Sequence, residues 1–317
     1  MRADNRLVFH PYSWMDNERS PALRFFELET GPHDVLFSQI SARDLVRLMQ
    51  TCRCTYTLVK AICFNVPRLL SRFFGDATSV DDFRRMQGYT GAIISGSTAL
   101  QFFNRLTWPN TDLDIYITRA SAAIAVVFIL ENGYTFSPRD FQDRNVSLQL
   151  CEAVKDSPPG YRGKGIANVL DFYKDGTKIQ LIIVKTTPME VILHFHSTCV
   201  MNIITHDAAF SLYPWSTFVT KETLAVDPVG AWEDDLTGRE LKEDARQKYA
   251  DRGWTIIRSP SASGKSELGV RMVRSVGDRF TWTIFLPPVY DETTDAGSTK
   301  YSWQLDCDAE TTWPTLC

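Results

Sequence analysis

The sequence predicts an α+β protein, and three observations support this fold class. Apolar residues from Pro32 to Phe74 recur at helical spacing. Residues Asp112 to Thr118 (DLDIYIT) alternate polar and apolar side chains, as a strand with one buried face does. Segments 169–173 and 178–184 flank Asp175-Gly176, a pair typical of two-residue hairpin turns. We therefore expect a helical unit followed by a β-sheet body.

Length and composition indicate a globular chain with a sizeable core. The 317 residues are 44% hydrophobic and 23% charged, which excludes a mainly disordered or fibrous protein. Changes in pattern along the chain divide it into three parts. These are a lead-in and helical unit at 1–78, a body at 79–290, and an acidic, flexible tail at 291–317.

Charge and cysteine usage narrow the function classes. A formal net charge of −4 argues against coating nucleic acid through bulk positive charge. The longest apolar run, Ala122 to Leu130, is far shorter than the roughly 20 residues that a membrane span needs, so we expect no membrane partner. Seven cysteines without a repeated CxxC pair favour a reduced, intracellular protein of the cytoplasm or nucleus.

Further elements of the body follow from the same patterns. Residues 91–95 (GAIIS) predict a short buried strand, followed by a helix at 97–106. A strand is expected at 190–195 and a helix at 197–204. The last predicted elements are an amphipathic helix at 236–250, a strand at 254–258 and a strand at 280–286.

Chemistry-bearing residues cluster between Gly91 and Ile117. The period of a strand places Asp112 and Asp114 on one face, and paired carboxylates of this kind suit a hard divalent ion. Gly96 permits close backbone approach, and Ser97 opens a helix whose free N–H groups suit a phosphate. The alternative is an ordinary Ser-Gly-Ser loop beside a solvated Asp-x-Asp strand. The two motifs in this order favour nucleotidyl or phosphoryl transfer.

At these residues the sequence resembles the DNA polymerase β-like nucleotidyltransferase superfamily. The resemblance is carried by IISGSTAL (Ile93 to Leu100) and DLDIYI (Asp112 to Ile117), and it covers about residues 80–210. It implies a nucleotidyltransferase-like mixed sheet flanked by helices, with Mg²⁺ (or Mn²⁺) held by Asp112 and Asp114. It also implies an NTP held at Ser95, Gly96 and Ser97, and an acceptor that is RNA, a protein or a small molecule.

One position departs from that family pattern. The superfamily usually carries a third carboxylate on a later strand, and the matching strand here (KIQLIIV) has Gln180 instead. Glutamine is neutral and cannot act as a general base. Asp171 on the preceding strand of the hairpin is the alternative acid. Two interpretations stay open: an active enzyme with two carboxylates, and a scaffold that has lost turnover.

The N-terminal helical unit resembles an F-box. The resemblance is carried by residues 32–59, with a Pro-led helix, the Asp44-Leu45-x-x-Leu48 pattern and Cys52-Arg53. It implies binding to a Skp-type adaptor, so that the whole chain would serve as an adaptor of a ubiquitin ligase. The alternative is a helical cap that packs on the following domain.

A second glycine-containing motif, SPSASGKS at Ser259 to Ser266, imitates a phosphate-binding P-loop. Ser259 stands where that loop needs its first glycine, and only about 50 residues follow the motif, too few for the rest of such a sheet. We therefore interpret it as a surface turn.

Overall fold

The computed structural model of the chain describes residues 32–152, 165–227, 236–261, 264, 267–289, 302–307 and 312–316. Within these residues the helices are α1 (Pro32–Ser38), α2 (Ala42–Met49), α3 (Arg53–Cys63), α4 (Val66–Phe74), α5 (Ala77–Thr90), α6 (Gly96–Asn104), α7 (Ala122–Glu131), α8 (Val146–Glu152), α9 (Pro188–Leu193) and α10 (Leu236–Ala250). The strands are β1 (Ile93–Ser95), β2 (Leu113–Thr118), β3 (Thr135–Ser137), β4 (Ile166–Lys174), β5 (Thr177–Val184), β6 (Asn202–Ile204), β7 (Ala208–Ser211), β8 (Glu222–Leu224), β9 (Thr255–Ile257), β10 (Val273–Ser275), β11 (Trp282–Phe285), β12 (Ser302–Cys307) and β13 (Thr312–Leu316).

Eight strands form one mixed sheet, which confirms the α+β fold class. Their order is β11-β7-β6-β1-β2-β5-β4-β3, and among the described strands of this sheet only β2 and β5 are parallel. The β4–β5 hairpin turns at Asp175-Gly176, as predicted; both residues have positive φ (48° and 77°). This is the backbone combination that a tight turn between twisted strands requires.

Side chains of the central strands alternate between the two faces of the sheet, and both faces are buried. Ile115 of β2, Leu181 of β5 and Phe172 of β4 belong to the largest core cluster, which includes the N-terminal helices and α7. On the opposite face Tyr116 and Ile182 pack with residues such as Val191 of α9. Burial on both faces fixes the register, because a slip of one residue would exchange the two sets of side chains.

Helices α1 to α3 share the core of the body. Leu45 is fully buried in the same cluster as the central strands. The Arg105 guanidinium donates to the Phe37 carbonyl at 2.6 Å and to the carbonyl of Ile40. Ser41 caps α2 by accepting a hydrogen bond from the Asp44 amide. The helical unit is therefore packed against the body, which is the arrangement that the helical-cap alternative describes.

The strand predicted at 190–195 is wrong, and the helix predicted at 197–204 is present only as a 3₁₀ turn at Thr198–Val200. Residues 188–193 form helix α9 instead of a strand, because Thr187 caps it and Pro188 occupies its first turn. Residues 202–204 form strand β6 instead of a helix, and Ile204 pairs with Ile94 of β1. A short apolar run suits a buried strand and a buried helix equally, so periodicity alone does not separate them.

Regular elements lie at both predicted boundaries of the body. Helix α5 begins at Ala77 and so crosses the boundary expected at 78/79. Part of the tail expected to be flexible forms strands β12 and β13, which extend a sheet with β10. The alternation in SWQLDC (302–307) is a strand pattern that the acidic composition of the tail conceals.

No helix among the described segments is long and apolar enough to cross a membrane.

Helix α5 is tied to the sheet by a buried arginine. The Arg84 side chain is 2% exposed, and its guanidinium donates to the His206 carbonyl at 2.7 Å and to the Pro287 carbonyl. These carbonyls lie in the β6–β7 turn and just after β11. One side chain therefore holds the helix before β1 against the far part of the sheet.

Replacing Arg84 with methionine should destabilise the fold. Arg84→Met removes the buried guanidinium and its hydrogen bonds to two partly buried carbonyls, so we expect the free energy of unfolding to fall by about 2–4 kcal/mol. Arg85→Met is the matched control, because the Arg85 side chain is 43% exposed and pairs with Asp82 at the surface. Urea denaturation of the two variants measures the difference; equal losses would contradict this role for Arg84.

Candidate active site

The candidate site begins where β1 passes directly into α6. Ser95 ends the strand, and Gly96 begins the helix with a φ of +70°. The Ser95 hydroxyl does not cap the helix; it is fully buried and donates to the Asn202 carbonyl at 2.6 Å. The first-turn N–H groups of α6 therefore have no side-chain cap and suit an anion.

The segment that carries Asp112 is fixed against α6. Thr98 in the first turn of the helix donates to the Asp112 carbonyl at 2.6 Å. Gln101, one turn further, accepts from the Trp108 amide at 2.6 Å and donates to the Thr111 hydroxyl at 3.0 Å. Helix α6 thus positions both the backbone turn at Gly96 and the entry to the aspartate strand.

Gly96 and Asp114 are in direct contact. Ser95 of β1 and Asp114 of β2 are register partners, so the aspartate lies opposite the residue before the glycine. A Cβ atom built at Gly96 would collide with Oδ2 of Asp114. Only glycine fits both this contact and the positive φ. The predicted proximity of the Gly-Ser turn and the second aspartate is therefore present in the structure.

The surroundings of Asp114 disfavour the charged form of its side chain. Burial and, to a smaller extent, the negative charge of Asp112 raise the pKa of Asp114 to about 7, against the opposing effects of Lys178 and Lys248. Within the described residues its carboxylate forms no hydrogen bond or ion pair. A desolvated carboxylate without a donor indicates a site for an added cation.

Asp112 lies one residue before β2 and is paired with a lysine. Lys178 Nζ is 3.1 Å from Asp112 Oδ2 and 3.5 Å from Asp171 Oδ1. Burial lowers the pKa of Lys178, but the hydrogen bond with Asp112 and the charge of Asp171 outweigh this and raise it above its usual value. The lysine therefore bridges carboxylates that belong to β4 and to the start of β2.

Gln180 and Asp171 lie side by side on adjacent strands. They are register partners, and Gln180 Nε2 donates to Asp171 Oδ1 at 2.7 Å. Arg139 holds the same carboxylate through Nε at 3.0 Å and Nη2 at 3.3 Å. Asp171 is thus close to the position expected to be acidic, but its charge is already compensated.

The structure brings most of the predicted site residues together. Asp114 and Gln180 are partners across the parallel β2–β5 pair, and Asp171 follows on β4. Ser95 differs, since its hydroxyl is directed to Asn202 and only its backbone faces the site. Ser97 lies in the first turn of α6 and is partly exposed.

Sequence reasoning missed two cationic residues of the site, Lys178 and Arg139. Lys178 is two residues before Gln180, so the strand period could have placed both on the same face as Asp114. Arg139 follows the short strand β3 in a loop and carries no such pattern. Loop side chains reach a site through the tertiary fold, which a single sequence does not show.

The P-loop-like segment lies elsewhere. Ser259, Ser261 and Gly264 line a separate cavity of about 210 Å³ together with Glu222 and Glu267. Burial raises the pKa of Glu267, and the charge of Glu222 raises it further. A cavity with two carboxylates does not suit a phosphate, which agrees with the interpretation of this motif as a surface turn. Lys265 is outside the described residues.

The carboxylates of the site do not by themselves supply a complete set of metal ligands. Within the described ranges, no three histidine, cysteine, aspartate or glutamate side chains are placed so that they could share a metal ion. Asp112 and Asp114 offer oxygen donors on one side, and the uncapped end of α6 faces them. A divalent ion here would need further oxygen ligands from a substrate or water, as Mg²⁺ commonly takes.

Comparisons of the chain with protein-family models, with curated proteins and with solved structures found no match.

Substituting Gly96 tests its contact with Asp114. Gly96→Ala should lower the free energy of unfolding by about 2–4 kcal/mol, because the positive φ costs about 1–2 kcal/mol and the collision adds to it. Gly91→Ala is the matched control, since Gly91 has a φ of +67° but open space around its Cβ position. Thermal or urea unfolding measures both.

The double variant Gly96→Ala/Asp114→Ala should recover part of that loss, because the second change removes the colliding carboxylate. A loss at Gly96 no larger than that at Gly91 would show that the contact with Asp114 is unimportant.

Neutralising Asp114 should stabilise the free protein above pH 7. With a folded pKa of about 7 against an ordinary 3.8, the folded state binds more protons than the unfolded state between these values. Stability from this group is therefore present at low pH and is lost as pH rises from about 4 to 7. We expect Asp114→Asn to exceed the parent by roughly 1–3 kcal/mol at pH 8 and by little at pH 4.

Urea denaturation at a series of pH values measures that difference, with Asp140→Asn as an exposed control. An Asp114→Asn protein less stable than the parent at pH 8 would contradict the electrostatic account of this residue.

Proposed function

We propose that this chain is a metal-dependent nucleotidyltransferase that transfers a nucleotidyl group from an NTP to an acceptor hydroxyl. One observation carries the proposal: the carboxylate of Asp114, which has no partner among the described residues, lies against Gly96 at the uncapped N-terminus of α6. The resemblance in IISGSTAL and DLDIYI to nucleotidyltransferases supports the same conclusion. The chain's α+β architecture with a mixed sheet is compatible with it.

Residues of the site fit a divalent ion. Asp112 and Asp114 would hold Mg²⁺ or Mn²⁺ through carboxylate oxygens, the donor type that hard cations prefer. Asp114 is the better supported ligand, because its partly buried carboxylate lacks another partner among the described residues. The ion, when bound, would neutralise charge on the phosphates of the substrate.

The start of α6 would hold the terminal phosphates. Its first-turn N–H groups at Gly96 and Ser97 have no side-chain cap, and the positive end of the helix dipole favours an anion there. Ser97 is partly exposed, so its hydroxyl is available to a phosphate oxygen. Ser95 would contribute through its backbone, since its hydroxyl is bonded to Asn202.

The transfer itself is a displacement at the α-phosphorus. The acceptor oxygen forms the new P–O bond as the bond from the α-phosphorus to the bridging oxygen breaks, and pyrophosphate leaves with the bonding electrons. The acceptor proton passes to solvent water in this proposal. Gln180 cannot take it, and the carboxylate of Asp171 is held by Arg139 and Gln180.

A transfer assay tests this function. The protein is incubated with each α-labelled NTP, Mg²⁺ or Mn²⁺, and pools of RNA and protein acceptors, and labelled product and pyrophosphate are measured. We expect transfer by the parent and at least a hundredfold loss in Asp112→Asn/Asp114→Asn, because both carboxylate charges that would hold the ion are removed. Glu131→Gln, an exposed acid at the end of α7, is the matched control.

Equal product from the parent and the double variant would end the enzyme proposal. Absence of product with every NTP would favour the scaffold interpretation, in which the site has lost turnover. Leu45→Asp does not test an adaptor role separately, because Leu45 lies in the shared core and its replacement would unfold the protein.

A further inference from the structure

We propose that Lys178 is an internal cation that competes with the divalent ion in the free protein and moves to the polyphosphate when substrate binds. This inference rests on the proposed function, because it concerns the same carboxylates. Its basis is the position of one ammonium group between acids of two strands.

Lys178 stands at the beginning of β5, between the strands that carry the acids. Its Nζ is 3.1 Å from Asp112 Oδ2 and 3.5 Å from Asp171 Oδ1. The side chains of Lys178 and Asp112 are 21% and 33% exposed, so the pair is screened only partly by water. The ammonium therefore compensates charge at the oxygen atoms that a metal would otherwise use.

A divalent ion and the ammonium cannot both hold Asp112 as it stands. Mg²⁺ binds carboxylate oxygen at about 2.1 Å, so an ion on Asp112 Oδ2 would lie within about 5 Å of Lys178 Nζ. Two cations at that distance in a partly desolvated site repel each other strongly. Binding of the ion to Asp112 therefore requires the lysine to move.

When the ion replaces the lysine, both Asp112 and Asp171 still have a partner. Asp171 keeps its bonds from Arg139 at 3.0 Å and from Gln180 at 2.7 Å when Lys178 leaves. Asp112 takes the incoming ion in place of the ammonium. The flexible four-carbon stem of lysine allows the ammonium to swing by several ångströms, towards phosphates bound at the start of α6.

Ion and polyphosphate should consequently bind as a coupled pair. In the free protein Lys178 opposes the ion, and with a polyphosphate present the same charge attracts the anion. Removing the charge of Lys178 should therefore strengthen the binding of the ion alone and weaken the binding of the polyphosphate. A lysine that serves only to stabilise the fold would not produce this opposition.

Binding of Mn²⁺ alone, followed by electron paramagnetic resonance or calorimetry, tests the competition. We expect Lys178→Gln to bind Mn²⁺ about tenfold more tightly than the parent, because the competing charge is gone. Lys185→Gln is the matched control: it makes the same change just beyond the other end of β5, roughly 23 Å away along the strand. Lys178→Arg keeps the charge and should bind Mn²⁺ as weakly as the parent.

The binding of inorganic tripolyphosphate in the presence of Mn²⁺ tests the second part of the proposal, that Lys178 attracts the bound polyphosphate. Its affinity should fall about tenfold in Lys178→Gln and should not change in Lys185→Gln. Lys178→Met gives a second neutral variant should the glutamine disturb folding. Unchanged or weaker Mn²⁺ binding in both neutral variants, or no Mn²⁺ binding by any of the proteins, would overturn the inference.

The two proposals fail in different ways. Tighter Mn²⁺ binding by Lys178→Gln, abolished by adding Asp114→Asn, together with no nucleotidyl transfer would leave the lysine exchange intact and end the enzyme proposal. Transfer by the parent with no effect of Lys178 on Mn²⁺ would do the reverse.

Discussion

The candidate site depends on the register of four adjacent strands. Ser95, Asp114, Gln180 and Asp171 are successive partners across β1, β2, β5 and β4. Because both faces of the sheet are buried, apolar neighbours such as Ile115 hold this row in place. A slip of one residue in β2 would turn Asp114 into the core. The hydrophobic pattern that folds the sheet therefore also places the chemistry.

Local patterns predicted much of this arrangement. Strict alternation identified β2, the Asp-Gly pair identified the β4–β5 turn, and the Gly-Ser turn before a helix placed Gly96 beside Asp114. The structure differs from the strand and helix predicted at 190–204, because the apolar runs in that stretch are short and suit a buried strand and a buried helix equally. The pairing of Lys178 with Asp112 joins β5 to the residue before β2, and the adjacency of these two strands is set by the tertiary fold, so sequence alone did not reveal it.

The site has a third acid although position 180 is a glutamine. The negative charge is present one strand further on, at Asp171, where Gln180 and Arg139 both donate to it. The Asp171 carboxylate already accepts three hydrogen bonds from these two side chains. It is nevertheless suited to hold Lys178 in position. The third carboxylate of the site therefore contributes to the organisation of charge around Lys178.

Asp114 gives the clearest physical argument that the arrangement serves a ligand. A carboxylate buried near Asp112 and against the backbone of Gly96 opposes folding, and a donor nearby would relieve it. Lys178 is close enough to affect its pKa, yet the lysine contacts Asp112 and Asp171 instead. A purely structural strand would gain stability from any neutral residue at this position. Among the described residues of the site, the carboxylate of Asp114 has no partner and lies beside the uncapped start of α6, and a metal-bound phosphate would satisfy both.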